Sequence, residues 1–215
     1  MLISFQIKLS QIPMKAIFFS TVTLFILQVS FAQKNKTYID SISAYQKNYA
    51  ASHEVVRGSD KKFFRFFSAD KNFKVQCRFQ KATDSSLVIM KTSGTKIPQK
   101  DFIRYGKLIF TIHDTALQLT VYQSKSLTKN DQYKDYLFIP FTDATSGDES
   151  YGSGRYIDIL TTDIKNNAVT IDFNKAYNPY CAYTTGYNCP IPPRENYLVV
   201  AVKAGEKSFA KPNGH

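Results

Sequence analysis

Cysteine and histidine are scarce in this 215-residue chain, which contains three of each. No two cysteines have the C-x2–4-C spacing of a structural zinc site, so no metal site is predicted. A P-loop is missing as well, because no GxxxxGK segment is followed by Ser or Thr. The chain also lacks βαβ alternation, internal repeats and low-complexity tracts. These absences leave one domain for which no metal or cofactor is expected.

Only one long apolar run is present, and it lies near the N-terminus. Lys15 precedes the run "AIFFSTVTLFILQVSFA", which ends in the small-x-small pattern Ser30-Phe31-Ala32. This arrangement predicts a cleavable signal peptide over residues 1–32, with Met14 as the true start. The run has about 17 residues, at the lower limit for crossing a bilayer, so an uncleaved anchor is the alternative. We therefore expect an exported protein, periplasmic or extracellular, with no stable membrane anchor after cleavage.

Charge is unbalanced, since the chain contains 28 Lys and Arg residues but only 17 Asp and Glu residues. A net charge of +11 can attract anionic surfaces or ligands. The basic residues are scattered in ones and twos, and no recognition helix is apparent. This scatter favours a role in solubility and predicts no specific nucleic-acid binding.

A helical pattern begins soon after the apolar run. In "TYIDSISAYQKNYAAS" the apolar and aromatic residues Tyr38, Ile42, Tyr45 and Tyr49 recur at intervals of three or four. This spacing predicts a helical segment within residues 33–57, with one face packed on a sheet.

From residue 58 onward the apolar period changes to two. Eight candidate strands follow: "KVQCRFQ", "SLVIMKT", "KLIFTIHD", "ALQLTVYQ", "YLFIPF", "RYIDIL", "AVTIDF" and "YLVVAVK". Short polar links such as "HDT" separate several of them, as expected for hairpins. The pattern predicts a mainly β fold: a single antiparallel β-barrel or sandwich domain, residues 58–215, with an N-terminal helix.

The cysteines have two different sequence settings. Cys181 and Cys189 are close together among turn-forming residues, and in an oxidising compartment they are expected to form a disulfide. Cys77 lies at an alternating strand position and is predicted to be a buried hydrophobe. A nucleophilic Cys181 is the alternative, but no motif joins it to His53 or His113.

A glycine-rich segment, "TDATSGDESYGSGRY", contains a second group of polar residues. Glycines allow the backbone to approach a ligand closely, and Arg155 directly after them could bind a carboxylate or phosphate through two parallel hydrogen bonds. The alternative is a long hairpin loop in which Arg155 pairs with an acidic residue of the core.

Several motifs together carry a resemblance to a known family. The glycine-rich segment fits D-x-T-x-G-x-x-x-Y-G-x-G-R, and DFN-x-AYNP-x-CA, CP-x-PP and AGE-K follow it. Over roughly residues 138–207 the chain resembles the bacterial family called domain of unknown function 1684; the upstream "FFRFFSADKNFKVQCRF" is a weaker match. The resemblance implies a common fold and no activity. It also implies a shared surface of Asp143, Thr145, Gly147, Tyr151, Gly152, Gly154, Arg155, Asp172, Asn174, Tyr177, Asn178, Cys181 and Asn196.

The segment "DFNKAYNPYCAY" completes the predicted site. Alternation places Asp172 and Asn174 on one strand face, opposite Phe173. Tyr177 offers a stacking surface with a polar tip, and Asn178-Pro179 begins a rigid flap. The predicted ligand-binding residues are Asp143, Tyr151, Arg155, Asp172, Asn174, Tyr177 and Asn178. The alternative is that these side chains hydrogen-bond to one another in a buried network.

The function predicted from these patterns is binding of a small polar or anionic ligand, including a glycan fragment, at the 143–155 loop and the 172–189 flap. A hydrolase is the second hypothesis, with Asp172 and either Glu149 or Asp143 as an acid–base pair. A structural interaction module of the cell envelope is the third. The sequence leaves enzymatic activity and oligomeric state open.

Overall fold

The computed structural model describes residues 14–84, 86–94 and 99–212. The chain divides into two units, Met1–Asp40 and Ser41–His215. Residues 1–13 of the predicted signal peptide lie outside the described residues, and export stays a prediction. Helix α1 runs from Met14 to Ser52. Within the described part of the chain, no helix combines the length and apolar character needed to cross a membrane.

The second unit contains the last turns of α1 and eight strands. The strands are β1 (Lys74–Lys81), β2 (Leu87–Lys91), β3 (Gln99–Ile112), β4 (Thr115–Ser124), β5 (Tyr136–Asp143), β6 (Arg155–Leu160), β7 (Ala168–Asp172) and β8 (Tyr197–Leu198). The order across the sheet is β6-β5-β4-β3-β1-β7, with β2 beside β3 and β8 beside β5. All pairs are antiparallel except β5 with β8. The sheet curls into a half-barrel, so the predicted mainly β antiparallel domain with an N-terminal helix is confirmed.

One tight turn follows from residues that tolerate a left-handed backbone. His113 and Asp114 link β3 to β4 with φ angles of 45° and 62°. Positive φ at both central positions gives a turn whose twist matches that of paired strands. The predicted "HDT" hairpin is thus present, with ten residue pairs along β3 and β4 and a register shift between Arg104 and Gly106.

The two faces of β5 and β6 have different surroundings, which positions the candidate site. Leu137, Ile139 and Ile157 point into the main hydrophobic core. Because side chains alternate along a strand, Phe138 and Asp158 point to the opposite face, where they are direct cross-strand neighbours. The last turns of α1 and the segment after β7 line a cleft over this second face.

One predicted strand is largely wrong. The segment "YLVVAVK" forms a strand only over Tyr197–Leu198, and the chain then continues without regular pairing. Val199 is 65% exposed, whereas Val202 and Ala204 are fully buried. Hydrogen bonds to the side chains of Asp143 and Arg155, together with single backbone bonds to separate loops, hold this C-terminal segment instead of a strand ladder.

Candidate functional site

Arg155, the first residue of β6, is the centre of a fully buried ion pair. Its Nη2 lies 2.8 Å from Oδ2 of Asp143, and both side chains are completely inaccessible to solvent. The guanidinium also donates to three backbone carbonyls of the C-terminal segment, those of Val202, Ala204 and Glu206. All of these contacts are to protein groups. Arg155 thus pairs with an acidic residue of the core, which was the alternative to ligand binding.

The second carboxylate oxygen of Asp143 accepts hydrogen bonds that hold the glycine-rich loop in place. Oδ1 accepts hydrogen bonds from the backbone N–H of Thr145 at 2.8 Å, from its hydroxyl at 2.7 Å and from the N–H of Val202 at 3.1 Å. Gly154 has a φ of 90°, and a Cβ there would lie 2.5 Å from the carbonyl oxygen of Phe141. The D-x-T motif and this glycine therefore shape the turn that brings Arg155 to Asp143. Tyr151 lies half-buried on the same loop.

Asp172 and Asn174 form a local cap at the end of β7. The Asp172 carboxylate accepts from the backbone N–H of Asn174 at 3.1 Å and from its side-chain amide at 2.9 Å. The Asn174 amide also exchanges two hydrogen bonds with the backbone of Asp70, at 2.9 and 2.8 Å. The DFN motif thus joins the end of β7 to the segment that leads into β1.

Two further asparagines connect backbone segments that are distant in sequence. The Asn178 amide donates to the carbonyl of Lys207 at 2.8 Å. The Asn196 amide accepts from the N–H of Thr120 and donates to the carbonyls of Thr120 and Pro140. Asn suits this task because one side chain both donates and accepts.

The predicted site residues therefore separate into two groups. Asp143, Arg155, Asn174 and Asn178 are each at most 2% exposed and bind protein groups. Tyr177, by contrast, lines the open cleft. Asp143, Arg155 and Asn178 all bond to residues 202–207, whereas Asn174 belongs to a separate cluster with Asp172 and Asp70.

The carboxylates of the hydrolase hypothesis have protein partners as well. Asp143 is paired with Arg155, Asp172 caps the end of β7, and Glu149 lies 2.8 Å from Lys203. Cys181 and Cys189 form a disulfide, so Cys181 has no thiol. Burial raises the pKa of the remaining thiol, Cys77, to about 12.

Sequence reasoning missed a buried acid, Glu206 of the AGE-K motif. Its carboxylate accepts from the Tyr183 hydroxyl at 2.7 Å, the N–H of Asn178 at 2.9 Å and the Tyr49 hydroxyl at 3.3 Å. Burial disfavours the charged form and raises its pKa to about 7, although the hydrogen bonds oppose the rise. Nothing but its place in the motif singled it out in the sequence.

The raised pKa of Glu206 predicts a specific pH dependence of stability. Because the folded-state pKa lies above the ordinary value of 4.5, its contribution is full below pH 4.5 and is lost as pH rises through about 7. We expect Glu206→Gln, a mimic of the protonated acid, to remove up to roughly 3 kcal/mol of this dependence. Urea unfolding across this pH range measures it.

Glu149→Gln is the matched control for this pH experiment. The Lys203 ammonium beside Glu149 holds its pKa below the ordinary value, so its titration falls below this pH range. Parallel stability–pH curves for the wild type and Glu206→Gln would contradict the assignment.

A large open cleft lies on the second face of the sheet, within the second unit. It encloses about 1370 Å³ between the last turns of α1, the ends of β3 to β6 and the loop closed by the disulfide. Tyr187 of that loop and Tyr180, directly before it, line the wall, with 40% and 37% of their surface exposed.

A continuous row of rings lines one side of this cleft, and we call it the aromatic arc. Neighbouring ring centres are 6.4, 6.4, 5.8 and 4.7 Å apart. In order, the arc consists of Tyr45, Tyr49, Tyr177, Tyr156 and Phe138. The helical stripe in α1 supplies the first two rings, β6 and β5 the last two, and the AYNP motif the middle one.

Asp158 is the carboxylate beside the aromatic arc. Its Oδ2 accepts a hydrogen bond from the Tyr177 hydroxyl at 2.6 Å, and it lies opposite Phe138 in the strand register. Solvent reaches Asp158, but the surrounding walls displace bulk water and raise its pKa to about 6. Sequence reasoning missed it because an alternating acid in "RYIDIL" looks like any solvent-facing strand residue.

Lysines line the side of the cleft formed by β3 and the turn after β4. They are Lys100, Lys125 and Lys129. Lys100 lies on β3 and Asp158 on β6, with β4 and β5 between them in the sheet. The cleft is therefore positive on one side and negative on the other. Among the described residues, no group of three His, Cys, Asp or Glu side chains could hold a metal.

The fold and the buried network define an antiparallel half-barrel whose C-terminal segment is fixed by an arginine–aspartate pair. The model of the family described as "Protein of unknown function (DUF1684)" matches residues 62–207. The chain belongs to this family, as the motifs predicted.

A solved structure shares the fold. The solution NMR structure of an uncharacterized protein from gene locus rrnAC0354 of Haloarcula marismortui is 22% identical, with a TM-score of 0.60. The match covers 84% of this chain and 99% of that one. No curated protein is significantly similar.

Proposed function

We propose that the protein binds a small polar ligand in the cleft beside the aromatic arc. The observation that carries the proposal is the joint presence of stacking rings and charged groups in one large cleft. Binding sites combine an apolar or aromatic lining with a few placed polar groups, and tyrosines supply both properties. The lysines favour an anionic group on their side of the cleft. The 172–189 flap contributes to this cleft through Tyr177, whereas Asp143 and Arg155 support the fold around it.

Export is part of the same proposal. The apolar run before Ala32 fits a signal peptide. The disulfide between Cys181 and Cys189 supports an oxidising compartment, where such bonds persist. In the periplasm or outside the cell, a small-ligand binding protein would meet metabolites and glycan fragments.

A single introduced tryptophan tests the binding site. The chain contains no Trp, so Tyr187→Trp would place a unique fluorophore in the cleft wall. We expect saturable fluorescence changes with at least one class in a panel of sugars, amines, amino acids and organic phosphates. The matched control is Tyr197→Trp, at a position that is 50% exposed and not part of the cleft.

The two reporters together decide the proposal. A ligand that changes the Tyr187→Trp signal and leaves the Tyr197→Trp signal constant supports binding in the cleft. If no class binds more tightly than about 1 mM, a free energy of roughly −4 kcal/mol, the proposal fails.

A further inference from the structure

We infer that the ligand carries an ammonium group, and that this group binds between the Asp158 carboxylate and the aromatic arc. The inference rests on the proposed binding function and specifies the chemistry of the ligand on the Asp158 side of the cleft. Combined with the lysines on the other side, it selects zwitterionic molecules whose opposite charges are separated.

The first argument is that Asp158 has no counter-charge of its own. Within the described ranges, no Lys or Arg side chain reaches it within the 4.0 Å of an ion pair. The Lys175 ammonium lies over the Tyr45 ring, 5.2 Å from its centre. In a chain with eleven excess positive charges, a carboxylate without a basic partner in a cleft is an available site for a cationic ligand.

The second argument is the chemistry of the surrounding rings. The face of an aromatic ring is negative and attracts cations, most strongly where water is partly removed. Tyr156 and Tyr177 meet edge to face, with 88° between their planes, and Phe138 meets Tyr156 at 72°. Rings at such angles border a space on several sides, and this shape suits a rounded ammonium group.

The third argument is the hydrogen-bonding capacity of Asp158. The Tyr177 hydroxyl donates to Oδ2 at 2.6 Å, and Oδ1 remains able to accept from a ligand. A carboxylate donates nothing when ionised, so it repels an anionic group and accepts from an ammonium or hydroxyl group. Of these two, the ammonium gains more, because it also supplies the missing charge and interacts with the ring faces.

Glu54 and Asp101 also line the cleft, but their settings differ. Glu54 follows α1 and accepts from the Tyr180 hydroxyl at 3.4 Å, outside the aromatic arc. Asp101 lies on β3, beside the lysines. Asp158 is the acid that the strand register places directly against a ring of the arc.

Choline and its neutral isostere 3,3-dimethyl-1-butanol test the inference. They have the same shape, and they differ only in that a carbon replaces the charged nitrogen. With the Tyr187→Trp protein, we expect choline to bind at least about tenfold more tightly than the isostere. Adding Asp158→Asn should remove this preference. Asp101→Asn, from the same cleft, should retain it. Thermal melts of each variant check that it is folded.

Each outcome decides between the two proposals. If choline binds no better than the isostere while another ligand class binds in the cleft, the ammonium inference is wrong and the binding function stands. A preference that survives Asp158→Asn overturns the assignment to this carboxylate. If neither choline nor any member of the panel binds, both proposals fail together.

Discussion

Replacing Arg155 by methionine is expected to lower the free energy of unfolding by about 3–5 kcal/mol. The substitution leaves the Asp143 carboxylate charged, buried and without its partner at 2.8 Å. It also leaves the carbonyls of Val202, Ala204 and Glu206 without a donor. Urea unfolding followed by circular dichroism gives the value directly.

An exposed arginine provides the matched control. Arg104 pairs with Glu195 at 3.1 Å, and each side chain keeps 39% of its surface exposed. Such pairs contribute roughly 0–1 kcal/mol, so Arg104→Met should cost little. Equal costs for the two variants would show that the buried pair does not stabilise the fold.

A double variant separates the charge from the packing. Asp143→Asn combined with Arg155→Met removes the unpaired charge and keeps a carbonyl oxygen that accepts from Thr145. We expect it to recover part of the loss, about 1–3 kcal/mol relative to Arg155→Met alone. No recovery would indicate that the lost backbone contacts account for the whole effect.

Gly154→Ala is expected to cost about 3 kcal/mol or more, the second large effect. The new Cβ would lie 2.5 Å from the carbonyl oxygen of Phe141 and 2.7 Å from Cγ of Pro192. A φ of 90° is itself unfavourable for any residue with a side chain, by roughly 1–3 kcal/mol. The backbone must therefore shift at the start of β6.

Gly186 has nearly the same φ angle but no close neighbour. Comparison with it therefore isolates the steric cost of the Gly154→Ala substitution. Its φ is 91°, and nothing lies within 4 Å of a Cβ built there. Gly186→Ala should therefore show only the conformational cost, about 1–2 kcal/mol. If thermal and urea unfolding give the same loss for both variants, then the close contact at Gly154 is relieved without cost.

Much of the fold could be predicted from local patterns. The period of two from residue 58 onward predicted the antiparallel sheet, and the spacing of Tyr45 and Tyr49 predicted one face of α1, whose rings line the cleft. Residue types were enough for the hairpin at His113-Asp114. They were also enough for the Cys181–Cys189 disulfide, because the two cysteines are close in sequence.

The C-terminal segment shows where local patterns fail. "YLVVAVK" alternates as a strand should, yet only Tyr197 and Leu198 pair with a strand, and both backbone groups of Val202 bond to side chains. The decisive partner, Arg155, lies 47 residues before Val202. Periodicity contains no information on such a distant donor.

The candidate site was only partly predictable for a related reason. Asp143 and Asp158 both occur in β strands, and the sequence does not tell which one is buried. Tertiary contacts decide it, since Arg155 and the C-terminal segment cover Asp143, whereas Asp158 faces the cleft. Residue chemistry indicated Tyr177 correctly as a cleft residue, but the exposed acid beside it depends on tertiary structure.

The fixation of the C-terminal segment also affects the order in which the protein can be completed during synthesis. Arg155 is made 51 residues before Glu206, a delay of a few seconds at about 5–20 residues per second. Until Glu206 is made, the Arg155 guanidinium lacks part of its hydrogen-bonding partners, and the growing chain should remain sensitive to protease. Arrested chains of increasing length would show when protease resistance appears. The half-barrel therefore completes the packing of its C-terminal segment only after Glu206 has been added to the chain.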